Sequence, residues 1–334
     1  MERKESKNFK QLPARNQIVK ELTSQVKEDL KNYFQDRDYG VIAVTREDAL
    51  RAFVVKTTNL CEIARLRHKL SPMATAVLGR ALTGAILLTS LLKHGTDQRV
   101  LLRIEGDGPI GLVVAEANAK GEVRGFVQNP DVPLFVKEEN GRKKFDIAKA
   151  VGKGTLTVVK DLGFGTPYES SVPIVSGEIA QDIAYYLLKS EQIPSAVAIG
   201  VLVGENGKVE AAGGFLAQPL PGASEDAVSK LEENVKSLPP VSSLIKEGKR
   251  PEDIAELIFK GFTTELLALK ELSFRCRCSK EVAERGLVAM PVEELHRLKE
   301  EGGVSIKCNF CGEEYFFTPE EIEKVIKEKE SGDN

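Results

Sequence analysis

The sequence predicts an α+β protein made of an antiparallel-sheet domain with helices, a helical linker and a small C-terminal module built on four cysteines. Three observations carry that expectation. Runs of period-two alternation separated by turn residues fill positions 37–222, and amphipathic helical spacing replaces them over 223–272. Four of the five cysteines in this 334-residue chain then fall at Cys276, Cys278, Cys308 and Cys311.

Composition sets the frame. With 42% hydrophobic and 29% charged residues and no tryptophan, the chain is of ordinary globular type, and a net charge of −3 gives no general attraction to nucleic acid. The start, Met-Glu-Arg-Lys, is too charged for a secretory signal. The most apolar region, 70–94, is interrupted by Arg80, and the twelve uncharged residues that follow it fall short of the roughly 20 that span a bilayer. A cytoplasmic protein without membrane contact is therefore expected. In a reducing compartment, clustered cysteines are more often metal ligands or redox centres than structural disulfides.

Residues 1–36 read as an N-terminal extension, a polar tail and then a helix carrying Ile18, Leu22, Val26, Leu30 and Phe34 at four-residue spacing. From Tyr39, "GVIAVT" and "LRAFVVKTT" alternate as strands. Ser71 and Pro72 open a long helix whose Ala74, Val77, Leu78, Ala81, Leu82 and Ala85 face a core. "RVLLRIEGDGPIGLVVAEANAKGEVRGFV" holds three strands divided by turn residues at 106–109 and 118–121, and "GTLTVVKDLG" and "SSVPIVSG" continue the sheet. A helix near 177–190 precedes a last hairpin, "SAVAIGVLV" and "VEAAGGFLAQ", turning at Asn206-Gly207.

Pro-Leu-Pro-Gly at 219–222 closes this core domain. Over 223–272 strand signals give way to helical stripes, Leu231, Val235 and Leu238, then Ile254, Leu257, Ile258, Phe262 and Leu266, whose apolar faces are expected to cover the preceding domain. The last segment, 273–334, is the cysteine module. It ends in a helix started by Thr318 as N-cap, Pro319 at the first position and Glu321 as capping-box partner.

A module of this size buries too little to fold on its core alone and needs a staple. Four thiolates satisfy a zinc ion at about 2.3 Å in a closed tetrahedron, which suits a structural site and leaves no place for a hydrolytic water. Neighbouring sulfurs in that tetrahedron lie about 3.8 Å apart, whereas a disulfide requires about 2.05 Å. Oxidising either pair therefore withdraws two ligands at once. Spacing alone leaves both a passive staple and a switch open.

Other candidates read as structural. His296, between the two pairs, is expected on a helix surface and not as a ligand, and Cys61 as a small buried residue. His68 and His94 lack companions that would make a site. Gly106, Gly108 and Gly111 superficially suggest a phosphate loop, but no Gly-Lys-Ser/Thr follows and the context is a hairpin.

The segments "EGDGPIGLVVAEAN", "KSEQIPSAV", "AAGGFLAQPLPGA", "FRCRCS" and "CNFCGEEYFF" occur in an order and spacing by which the chain from about residue 37 resembles the heat shock protein 33 family of redox-regulated chaperones. The first 36 residues are additional to that pattern. The resemblance implies an ATP-independent holdase, not an enzyme, that binds unfolding proteins during oxidative stress. It implies that Cys276, Cys278, Cys308 and Cys311 hold zinc in a reduced, inactive form. It further implies that oxidation makes the disulfides Cys276 with Cys278 and Cys308 with Cys311, releases zinc, loosens module and linker, and favours a homodimer.

Two rivals are disfavoured by the residues. A nucleic-acid zinc ribbon wants positive charge, yet ten Lys or Arg face thirteen Asp or Glu over 273–330. A disulfide oxidoreductase places Cys-x-x-Cys between a strand and a helix, whereas "IKCNFCGEEYFF" reads as a turn between strands.

Overall fold

The computed structural model describes residues 20–21, 24–93, 95–139 and 141–331. Contacts divide the chain into two compact units, the first ending at Phe274 and the second starting at Arg275.

The first unit is built on two six-stranded sheets. Its chain begins with β1 (Lys20–Glu21), α1 (Ser24–Phe34), β2 (Tyr39–Thr45), β3 (Leu50–Lys56), α2 (Thr58–His68) and α3 (Pro72–Leu88). The meander β4 (Arg99–Gly106), β5 (Leu112–Asn118) and β6 (Glu122–Val127) follows, then the small hairpin β7 (Val136–Glu139) and β8 (Arg142–Phe145), and α4 (Ile147–Val151). β9 (Gly154–Asp161), β10 (Tyr168–Pro173), α5 (Ala180–Lys189), β11 (Ala196–Val203) and β12 (Val209–Pro219) lead into three helices, α6 (Glu225–Ser237), α7 (Val241–Lys246) and α8 (Pro251–Ile258). β13 (Thr264–Glu271) and β14 (Ser273–Phe274) close the unit.

Sheet one runs β1-β13-β2-β3-β12-β11 and sheet two β10-β9-β4-β5-β6-β14. All neighbours are antiparallel except β6 and β14. The central helix α3 is buried along its whole length except at Pro72 and Arg80, as a helix apolar on every side must be. It starts as the sequence dictates, Ser71 Oγ accepting from the Ala74 N–H at 3.3 Å. With the turn that follows it, Pro72–Leu91 spans 20 residues and is long and apolar enough for a bilayer, although only twelve uncharged residues were expected to run together. Within the fold all of that stretch but Pro72, Arg80 and Leu91 is buried, and its one charge, Arg80, pairs with Glu178 at 2.7 Å.

Sheet one is covered on both faces. In β3, Phe53 and Val55 join the core around α3, while Leu50, Ala52 and Val54 join a second core with α1, α6, α7 and α8. That double burial explains why "LRAFVVK" is almost continuously apolar. Leu231, Ile254 and Ile258 bury the faces that the stripes of 223–272 foretold, and Phe259, which those stripes did not include, is buried with them. From the N-terminal stripe, Leu30 and Phe34 are buried, Phe34 stacking on Tyr39 at 4.0 Å, whereas Ile18 and Leu22 lie outside the described residues.

The helical expectation fails at the end of that segment. Residues 264–271 are strand β13, inserted beside β2 with Thr264 opposite Thr45 and Glu271 opposite Tyr39, and a bulge between Leu266 and Ala268. Leu266 follows Phe262 at helical spacing, but the free edge of β2 offers a full ladder of backbone partners, and that tertiary pairing overrides local propensity. β13 also brings in a buried charge: the Lys270 ammonium donates to Thr89 Oγ1 at 3.0 Å just past the C-terminus of α3, and burial holds its pKa down at about 8.

Helix α8 docks with a buried carboxyl. Glu252 is 0% exposed, accepts from the Tyr39 hydroxyl at 2.7 Å through Oε2, and has no partner for Oε1. Burial pushes its carboxyl above the usual range, helped by Asp253, against the lowering effects of Tyr39 and Arg250. A carboxyl raised by folding stabilises the fold below its unfolded pKa and loses that contribution as pH rises through its folded value. Glu252→Gln is therefore expected to flatten the fall in urea midpoint between pH 5 and pH 8. An unchanged slope would show that Glu252 is ionised in the docked helix.

Candidate metal centre

The second unit has a small core: Leu287, Leu295, Phe317, Ile322, Val325 and Ile326 are buried in it. They come from α9 (Lys280–Val288), α10 (Val292–Glu300), β16 (Glu314–Phe317) and α11 (Pro319–Ser331), with β15 (Val304–Lys307) paired to β16. The N-terminus of α11 forms the expected capping box: Thr318 Oγ1 accepts from the Glu321 N–H at 3.4 Å, and Glu321 Oε2 accepts from the Thr318 N–H at 2.9 Å. Lys329 ties the far end down, donating to the carbonyls of Val288 at 2.6 Å and Met290 at 2.5 Å.

Two arms carry the cysteines. The turn of the β15–β16 hairpin holds Cys308 and Cys311, closed by the Gly312 N–H on the Cys308 carbonyl and the Cys308 N–H on the Glu313 carbonyl, both at 2.8 Å. Gly312 takes φ +72°, the left-handed region where glycine carries no Cβ penalty. The other arm is the irregular segment before α9, which Ser279 ends by capping the Val282 N–H at 3.3 Å.

The four sulfurs lie within 4.8 Å of one another, Cys276 to Cys308 at 3.8 Å and Cys278 to Cys311 at 3.3 Å. All four are free thiols, and only Cys311 is fully buried. Both separations are far from the about 2.05 Å of a disulfide, and the 3.8 Å between Cys276 and Cys308 matches the edge of a zinc–sulfur tetrahedron. Burial pushes the Cys308 thiol up, and Cys276 adds to this, against backbone N–H groups of Phe310 and Cys311 that favour its thiolate. Burial likewise raises the Cys311 thiol, with Cys278 and Cys308 contributing, while the Glu313 N–H opposes. The Cys308 and Cys311 thiols thus resist ionisation without a cation among the sulfurs, and a soft divalent ion supplies that charge. The donor set thus fits a closed metal site. The Tyr315 hydroxyl also reaches it, donating to Cys278 Sγ at 3.2 Å.

The remaining candidates stay outside the site. His296 is exposed on α10, and the four-sulfur cluster contains no histidine. Cys61 is buried in the first unit, 3.9 Å from Thr57 Oγ1 and 3.7 Å from the Gly79 carbonyl, and burial pushes its thiol up to about 12. His68 meets the Phe274 ring edge-on at 6.4 Å, and His94 lies outside the described residues. Gly106 and Gly108 are there for close approach: a Cβ at either would meet the carbonyl oxygen of Val151 at 1.9 Å or of Ala150 at 2.3 Å. Tyr315 escaped the sequence reading, although its position two residues before buried Phe317 puts both on one face of β16.

Fold and site together define an α+β domain followed by a module whose four thiols could hold a metal ion. Comparison with known proteins narrows that class. The Hsp33 protein family model matches residues 38–318. The "33 kDa chaperonin" of Aquifex aeolicus is 56% identical over 319 residues, covering 95% of this chain and 98% of the relative, and that of Desulforamulus reducens is 45% identical, covering 89% and 100%. The Aquifex match is too long to lie within 38–334, so the N-terminal extension is shared at least in part. The crystal structure of the 33 kDa chaperonin (heat shock protein 33 homolog) of Thermotoga maritima superposes with a TM-score of 0.80 at 42% identity, covering 88% of this chain and 99% of that one. The chain belongs to the Hsp33 family, and with that membership it is a chaperone with a redox-linked role, not an enzyme.

Leu295→Ala removes a side chain from the centre of the small core and is expected to cost about 2–5 kcal/mol. Limited proteolysis should then cut within 275–331 while the first unit survives. Equal resistance to that of the unaltered chain would show that the core contributes little to the module.

Proposed function

We propose that this chain is an ATP-independent holdase that is inactive when reduced and zinc-bound, and is activated by oxidation. Zinc sits on Cys276, Cys278, Cys308 and Cys311 and supplies the positive charge that keeps all four as thiolates. The observation that carries the reading is the convergence of four sulfurs within 4.8 Å on a module with few buried side chains. A core of this size rarely supplies more than about 3–5 kcal/mol, whereas a structural zinc contributes about 10–16 kcal/mol. Loss of the ion therefore unfolds the module.

Hypochlorous acid provides a balanced route. A thiolate takes the chlorine, forming an S–Cl bond as hydroxide leaves; a neighbouring thiolate then displaces chloride and forms the S–S bond. Each disulfide removes two electrons and two ligands. Bridges within each pair, Cys276 with Cys278 and Cys308 with Cys311, leave the two arms unconnected, whereas bridges between arms would keep them tied.

The linker is suited to follow. Helices α6 to α8 bury apolar faces on sheet one, yet α8 carries the half-satisfied Glu252 and part-buried ion pairs from Lys27 to Asp253, at 3.2 Å, and to Glu256. Detaching them exposes a sheet face and three amphipathic segments to unfolded clients. The active form is a homodimer, cytoplasmic, with neither nucleic acid nor membrane as partner.

The test compares suppression of aggregation of an unfolding protein by the reduced, zinc-loaded chain and by the hypochlorite-treated chain. Activity is expected only after oxidation, with about one zinc released per chain as the four-ligand site implies. Equal activity in both states would make the metal a passive staple. A second measurement concerns metal alone: a strong zinc chelator at pH 7 is expected to abolish protease resistance in 275–331 without oxidant.

A further inference from the structure

We propose that Tyr315 is a positioning residue of the metal centre, its hydroxyl holding the Cys278 sulfur and shielding it from electrophiles. This rests on reading the four sulfurs as zinc thiolates.

The two arms of the site are held differently. Cys308 and Cys311 sit in a tight turn whose own backbone N–H groups, from Phe310, Cys311 and Glu313, favour their thiolates. Cys278 lies on the irregular arm, and its sulfur receives the Tyr315 hydroxyl from the hairpin at 3.2 Å. Tyr315 is well placed to hold that position. It pairs with Ile306 across the hairpin, and its half-buried ring packs against the core that contains Phe317. The hydroxyl thereby links one arm to the other.

A hydrogen bond to a thiolate uses the electron pair that attacks an electrophile, and so slows that attack. It also depends on charge. A neutral disulfide sulfur is a much weaker acceptor than a thiolate, so the bond belongs to the reduced state and is lost when Cys278 is oxidised. Tyr315 would thus fasten the irregular arm to the hairpin only while the metal is bound.

The experiment uses the full reduced chain, zinc-loaded, with Tyr315→Phe, which keeps the ring and removes the hydroxyl. Each cysteine is followed by iodoacetamide labelling and peptide mass spectrometry, a new S–C bond forming as iodide leaves, while a colorimetric chelator reports zinc loss. Cys278 labelling is expected to rise roughly three- to tenfold relative to the other three cysteines, with faster zinc loss. Phe317→Leu serves as the control for general loosening, which raises all four rates together. A Tyr315→Phe chain whose four rates rise equally, or whose Cys278 rate is unchanged while zinc is retained, overturns the inference alone. A wild-type chain that retains no zinc overturns the metal reading and this inference with it.

Discussion

Four sulfurs within 4.8 Å of one another are the constraint on which the second unit depends. Uncompensated, they repel as thiolates, and burial resists ionisation of Cys308 and Cys311. A bound dication adds an attraction to each thiolate that outweighs that repulsion and favours ionisation of all four. Besides the sulfurs, the unit has a small core of six buried side chains with partly buried ones packed on it, the β15–β16 hairpin, a capping box, a lysine on two carbonyls and ion pairs such as Lys299–Glu323 at 2.6 Å. On the proposed reading of the sulfurs as zinc thiolates, whatever changes their charge or oxidation state changes whether the unit is folded.

The first unit answers to different physics. Helix α3 is enclosed in the core that residues of both sheets share, and its stability comes from apolar burial far in excess of what the second unit has. The helices on the outer face of sheet one are less secure. They bury apolar stripes, but Glu252 keeps an oxygen without a hydrogen-bond partner in the interface. Just before β2, Asp38 is another carboxyl that burial raises, to about 7. Its oxygens accept from the N–H groups of Asn59 at 3.2 Å and Leu60 at 2.7 Å, which partly offsets the desolvation. Such compromises concentrate where sheet one meets α8 and where the chain returns from β13, whose Leu272 N–H donates to the Asp38 carbonyl at 3.0 Å.

Most of this was legible in the sequence where a local signal decides the structure. Ser71-Pro72, the Gly-rich turns of the β4–β6 meander and Thr318-Pro319 with Glu321 each specify their element within a few residues, and the paired cysteines specify the site by count. What escaped depends on distant partners. β13 is a strand because β2 has an edge to fill, so its helical spacing misled. Ser273 and Phe274 add a short parallel pairing to β6 that no two-residue signal announces. Glu252 lies in the first turn of α8, where glutamates are usually solvated, and only the approach of Tyr39 makes it a buried one. Tyr315 was invisible for the same reason, since its meaning lies in a sulfur on the other arm.

The measurement that bears most directly on the coupling of metal, module and linker is amide hydrogen exchange on the same chain, reduced with zinc and after hypochlorite oxidation. Protection is expected to vanish across 275–331 and to fall across 225–258 on oxidation, while α3 and β4–β6 keep theirs. Protection of 225–258 that survives the loss of zinc would contradict the account, because the linker would then hold its place without the module.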